Sequence, residues 1–251
     1  SNVAYPQLDE HIRKSYAARS KATNVKNLYD SYIRAIRWAS DRLNDSGYGI
    51  IGFVTNAGFL DANNADGLRK TLAEEFSSIY IFHLRGNART SGELRRREKD
   101  NIFGIGSRAP IAISLLVKNP EAKQFGQIYF HDIGDYLSQA EKLEKISTYG
   151  SITGITANNG WKLITPDRHG DWLQQRDEHF AEFIALGDKK GNESKLFTNF
   201  SMGIKTNRDA WCYNASKIQL KANMTRMIEF YNSEVKRFDS EYGGLDKATR
   251  L

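Results

Sequence analysis

The chain has 251 residues, of which 40% are hydrophobic and 12% aromatic, enough for a real core and too apolar for disorder. A formal charge of +6 is compatible with a polyanionic partner without demanding one. The single cysteine, Cys212, excludes an internal disulfide and points to a reducing, cytoplasmic setting; no apolar run reaches the ~18 residues a membrane helix needs.

Leu8, Ile12 and Tyr16 recur at helical spacing and predict a short first helix. A second is predicted over 27–45, where Leu28, Tyr32, Ile36 and Leu43 form an apolar stripe widened by Ile33 and Trp38. Gly47 ends it. The near-continuous apolar run over 48–55 reads as a strand buried on both faces of a parallel sheet. A loop then leads into a helix over 66–76, and a second buried strand follows over 77–84. Third and fourth strands are predicted over 111–118 and 126–134. This order is that of an α/β layered domain with an antiparallel finish. Beyond Tyr136 the texture changes. An amphipathic helix over 137–150 gives way to a polar, aromatic-rich stretch and then to short strand-like pieces separated by Gly and Asn. A long helix over about 216–240 carries Ile218, Met224, Met227, Ile228 and Tyr231 on its stripe. A domain boundary is placed near residue 150.

Several stretches carry a family resemblance in their order: LYDSYIRAIRWASDRL, GIIGFVTNAGFLD, LRKTLAEEFSSIYIFHLRGNAR and APIAISLLVKN, then HDIGDYLSQAEKL, ITPDRHGDWLQQRD and NFSMGIKTNRDAWCYN. Together they resemble the C-terminal half of an N6-adenine DNA methyltransferase domain. They are most like the methyltransferase and target-recognition region of Type ISP restriction-modification enzymes, single polypeptides with nuclease, helicase, methyltransferase and DNA-recognition parts. The resemblance implies an α/β fold: a partial, Rossmann-like methyltransferase sheet over 1–150, followed by the start of an α+β recognition segment over 151–251. It implies double-stranded DNA as partner, alongside the upstream half of the methyltransferase and the helicase and nuclease domains of the same polypeptide. It implies S-adenosylmethionine as cofactor of the intact protein. The family's Gly-rich cofactor loop is not found here, nor is its Asn/Asp-Pro-Pro-Tyr/Phe tetrapeptide, and no two prolines are adjacent. The expectation is a fragment of a longer protein, with no catalytic residue and no bound cofactor of its own, and inactive alone.

Between the second and third predicted strands lies a loop of about 26 residues, long against the usual ~4–6 and therefore a candidate for function. Its sequence RTSGELRRREKDNIFGIGSR holds six basic residues. By resemblance it lies over an extruded adenine. Arg89, Arg95, Arg96, Arg97, Lys99 and Arg108 then meet DNA phosphates, and Phe103 stacks on the base that has lost its own neighbours. Gly104 and Gly106 allow close backbone approach. The residues alone also permit a solvated helical turn with a Glu93–Arg97 ion pair, and a Phe103 that plugs the sheet end.

Asn56 ends the first strand, where open α/β sheets bind ligands, and either borders the base pocket or, like Asp61, serves turn formation and capping. Lys205, Asn207 and Arg208, with Asp209, are candidate DNA contacts at the entry to the recognition segment, or belong to a turn with Asn207 at its tip. Pro166-Asp167 with Glu193 and Lys195 imitates a magnesium-nuclease pattern, but the polar, Gly-bearing stretch around Glu193 does not suit the strand that pattern needs. The five histidines have no metal spacing, so no metal is expected. Two functions from different classes stand: part of a DNA-modifying enzyme, or a non-catalytic DNA- or protein-binding module.

Overall fold

The computed structural model describes residues 5–44, 46–177, 179, 182–187, 191, 194–201, 203 and 205–244. By contact, the chain divides into two compact units, Ser1–Phe180 and Ala181–Leu251.

In the first unit, α1 (Pro6–Ile12) has proline in its first turn, where the missing N–H costs nothing. A wider π-type turn, Arg13–Ala17, continues it and buries Tyr16. The helix α2 (Ser31–Arg42) and the helix α3 (Asp66–Glu75) bury their apolar stripes on one face of a five-stranded sheet. The strands are β1 (Gly49–Asn56), β2 (Ser78–Arg85), β3 (Ile111–Lys118), β4 (Gln127–Asp132) and β5 (Lys162–Ile164), in the order β1-β3-β2-β4-β5. β3 lies antiparallel between β1 and β2, with Gly52 opposite Leu115 and Phe82 opposite Ile113. β4 runs parallel to β2, and β5 returns antiparallel to β4.

Strand alternation sends Ile51, Ile79, Ile81, Ala112, Leu116 and Ile128 into the core under α2 and α3. Phe82, Leu84 and Ile111 point the other way and meet α5 (Gln139–Tyr149) and α6 (Ile152–Ala157). On that second face Tyr80 stacks on Tyr129 at 4.7 Å, and Trp161 meets both Tyr80 and His131 edge-on.

β1 departs from its expectation. It is not a strand buried on both faces of a parallel sheet: it is an edge strand, antiparallel to its one neighbour. Ile51 is buried, whereas Ile50 and Val54 on the other face are exposed. The physical reason is coverage, since α5 and α6 lie over β2 and the end of β3 and leave that face of β1 bare. Residues 151–177, placed from sequence with the later segment, pack in this unit because β5 pairs with β4 and Trp172 joins the main core.

The second unit holds α7 (Asp209–Cys212) and the long α8 (Lys217–Tyr242), capped by the Ser216 side chain, which accepts from Gln219 N–H.

Candidate nucleic-acid interface

β2 does not simply end; it is clamped. Arg85 adopts a positive φ of 57° and donates from Nε and Nη2 to the two Asp132 oxygens at 2.7 and 2.9 Å, with a further bond to Asp135. Asp132 ends the neighbouring parallel strand, so this fork ties the two strand ends together.

The next residue, Gly86, has φ +87°, and a Cβ there would lie 2.8 Å from the Asn101 Cα. Only glycine fits so close an approach. The buried Asn101 side chain donates to the Gly86 and Ala109 carbonyls at 3.1 and 2.8 Å and accepts from Phe103 N–H at 3.0 Å. It thereby staples the base of the long insertion shut. Ala88 N–H donates to the Arg108 carbonyl at 3.0 Å just above.

The insertion contains a short helix, α4 (Gly92–Glu98), with none of its residues buried. Three side chains from the β4–α5 side hold it. The fully buried Lys142 ammonium donates to the Glu98 and Asp100 carbonyls at 3.0 and 2.6 Å. Burial lowers the Lys142 pKa, opposed by the nearby Glu98 and Asp100 charges. Gln139 donates to the Ile102 carbonyl at 2.8 Å, and the Tyr136 hydroxyl donates to Glu93 at 2.6 Å. Glu98 accepts from Asn87 N–H at 2.8 Å. The insertion is thus a flap with built anchors.

The basic residues in this flap divide. Arg96 is paired with Glu93, its Nη2 at 2.5 Å, and Arg97 lies 3.9 Å from Glu93 and 4.0 Å from Asp135. Arg95 donates to the Lys99 carbonyl. No carboxylate of the described residues lies within salt-bridge distance of Arg89, Arg95, Lys99 or Arg108. Arg95, Lys99 and Arg108 line a cavity of about 430 Å³. Phe103 is 58% exposed beside it and does not plug the sheet end; Ile102 packs there instead, against the second core. Ile105, on the 3-10 turn Gly104–Gly106, is fully exposed.

Asn56 accepts from Gly58 N–H at 2.8 Å and caps the turn Ala57–Leu60. Behind that turn, the fully buried Arg69 donates to the Phe59 and Ala62 carbonyls at 2.9 Å each, to Gly170 at 2.9 Å and to Asp171 at 2.5 Å. Burial raises the pKa of Asp61, with His83 nearby opposing the shift. In the second unit Lys205, Asn207 and Arg208 are exposed, and Asn207 sits at a turn with φ +53°. Arg226 lies over the Trp211 ring at 5.5 Å. Asp167 accepts from the His169 and Asp171 N–H groups at 2.8 and 2.9 Å, while Glu193 lies outside the described residues. Among the described residues there is no His, Cys, Asp and Glu group that could hold a metal, and no helix long and apolar enough to cross a membrane.

Sequence reasoning missed Lys142, Asn101 and the Arg85 fork. Only the helical stripe of α5 bore on Lys142, and a lysine on such a stripe reads as surface.

A mixed α/β sheet with a bolted basic flap, followed by a separate unit around a long helix, is the class of molecule these features define. Residues 195–250 match the family described as the Type ISP C-terminal specificity domain. Over nearly its whole length the chain is similar to a region of Type ISP restriction-modification enzymes. It is 40% identical to the ATP-dependent Type ISP enzyme LlaBIII bound to DNA, with a TM-score of 0.83 over 93% of this chain and 15% of that one. It is 46% identical to a nuclease-deletion mutant of the Type ISP enzyme LlaGI in complex with a DNA substrate mimic, with a TM-score of 0.81 over 94% and 18% of the two chains. A DrdV–DNA complex solved by cryo-EM is 35% identical, with a TM-score of 0.77 over 93% and 23%. The chain therefore spans less than a quarter of the length of these proteins. Comparison with curated proteins returns no match.

Proposed function

We propose that this chain forms the base-covering flap and the entry to target recognition in a Type ISP enzyme that methylates adenine N6 in double-stranded DNA. One observation carries the reading: the flap is fixed at its base by Asn101, Lys142 and Arg85, yet presents Phe103, Ile105 and unpaired cations outward. A rigid anchor under an exposed aromatic suits a stacking platform for an extruded base. The neighbouring cations suit phosphates. In the second unit, Lys205, Asn207 and Arg208 are assigned to target recognition.

In this reading S-adenosylmethionine is not assigned to the described residues of this chain. The Asn56 side chain is used in its turn, and the space at Gly86 is filled by Asn101. Cofactor binding and the group that positions the amine are assigned to the upstream half of the methyltransferase, and nuclease and helicase work to other domains of the same polypeptide.

A salt titration of duplex binding by the 251-residue chain, paired with calorimetry against S-adenosylmethionine, tests this. Salt-sensitive DNA binding without cofactor binding is expected. Cofactor binding by this chain alone, or binding indifferent to salt, overturns it.

A further inference from the structure

Not all six cations of the flap face the same task. We infer that Arg95, Lys99 and Arg108 form a single seat for one phosphodiester of the DNA backbone, while Arg96 and Arg97 serve the fold of the flap itself. This rests on the DNA-facing reading of the flap and goes beyond it by saying which side chains take the anion.

Arg96 and Arg97 have partners in Glu93 and Asp135. Arg96 is paired directly with Glu93, and Arg97 stands at the edge of ion-pair distance from both acids. Glu93 is further fixed by the Tyr136 hydroxyl, so this group joins α4 to the β4–α5 connection. Arg95, by contrast, has a carbonyl partner, that of Lys99, which orients the guanidinium without neutralising it. A guanidinium has five donors, and one such bond leaves others free for phosphate oxygens. Arg108 and Lys99 line the same cavity as Arg95, together with Ser107 and the fully exposed Ile105.

Two acids lie near. Asp100 shares the cavity wall, but the buried Lys142 ammonium sits behind it, 2.6 Å from its carbonyl. Glu141, whose carboxyl Lys99 influences, is held by the Ser138 N–H and hydroxyl at 2.7 and 2.6 Å. Three cations therefore outweigh the two nearby acids.

Lys99 adds a separate indication. It follows α4 with φ +44°, a conformation that favours glycine, and its N–H closes the helix on the Arg95 carbonyl at 3.1 Å. A lysine in that position gives up backbone comfort and keeps an ammonium at the cavity mouth. Backbone strain of this kind clusters at ligand-holding sites.

Lys99→Gly suits the test, because glycine fits the backbone conformation while the ammonium is removed. Anisotropy of a labelled duplex across a salt series reads the result. For Lys99→Gly and for Arg108→Gln, the slope of log K against log salt is expected to shrink by about 1 each, with loss of affinity alike on unrelated sequences. Arg96→Gln keeps the wild-type slope. A slope change in Arg96→Gln as large as in Arg108→Gln, or wild-type slopes in both Lys99→Gly and Arg108→Gln, overturns the seat and leaves the flap reading intact. Salt-insensitive binding by the wild-type chain overturns both.

Discussion

Asp132 sits under opposing influences. Burial pushes its carboxyl pKa up, but hydrogen bonds with His83, Arg85 and the Gly134 N–H win and hold it far below the ordinary carboxylate range. In an unfolded chain the same carboxyl titrates near ~3.9. A group whose native pKa is depressed stabilises the fold fully above its unfolded value and loses that contribution as the pH falls toward its native value. The first unit should therefore lose stability progressively as the pH drops below about 5. Asp132→Asn should start from a lower stability and show a shallower acid limb, since the Arg85 fork has lost its charge partner. Urea midpoints across a pH series measure this. An acid limb as steep as the wild type's would assign the titration to other paired acids, such as Asp9 or Asp66. Arg69 shows the opposite balance: burial outweighs the Asp171 charge and lowers its pKa, while its bonds to Phe59, Ala62, Gly170 and Asp171 fix the turn after β1 that Asn56 caps.

At the level of elements, α5 does two jobs with one face. Its Ser138 capping box with Glu141 sets where the helix begins, and that start places Lys142 beneath the flap. Replacing Lys142 with Met fills the space but leaves the Glu98 and Asp100 carbonyls without their donor, and a lost buried partner costs roughly 1–3 kcal/mol. The cost should fall mainly on the flap. Trypsin should cut Lys142→Met within 89–108 faster than the wild type, while amide exchange in β2 and β3 stays slow. Cutting at the wild-type rate would show that the remaining anchors, Asn101, Gln139 and Tyr136, hold the flap without Lys142. This coupling was not legible in the sequence, because it joins residues more than forty positions apart through backbone carbonyls that carry no side-chain signature. Strands were legible where apolar runs were long: 111–118 was placed as observed, and β1, β2 and β4 within two residues at either end. β5 was not, since Lys162–Ile164 is too short for alternation to register and exists through its pairing with β4. Of the site, the flap was visible as a charged interruption between strands. Which of its cations are paired depends on Glu93 and Asp135, and Asp135 comes from a different connection.

For the molecule as a whole, apolar patterning says that a face is to be covered but not by what. The α8 stripe that reads as core from sequence includes Ile218, Ile228 and Tyr231, all exposed in the second unit. The uncovered face of β1 in the first unit makes the same point, with Ile50 69% and Val54 51% exposed on a strand that has a neighbour on one side alone. An open edge next to bare apolar side chains is a template for pairing with another chain. Taken alone at high concentration, the chain should self-associate there. Ile50→Lys combined with Val54→Lys should reduce that association in sedimentation velocity, because two ammonium groups then border the open edge. Since both side chains are already in water, the thermal midpoint should barely move; such surface changes stay within about 0.5 kcal/mol each. Association that persists unchanged in the double variant would locate the sticky surface elsewhere, with the exposed stripe of α8 next to be altered. A large drop in thermal midpoint would mean instead that the face of β1 is covered within the chain itself.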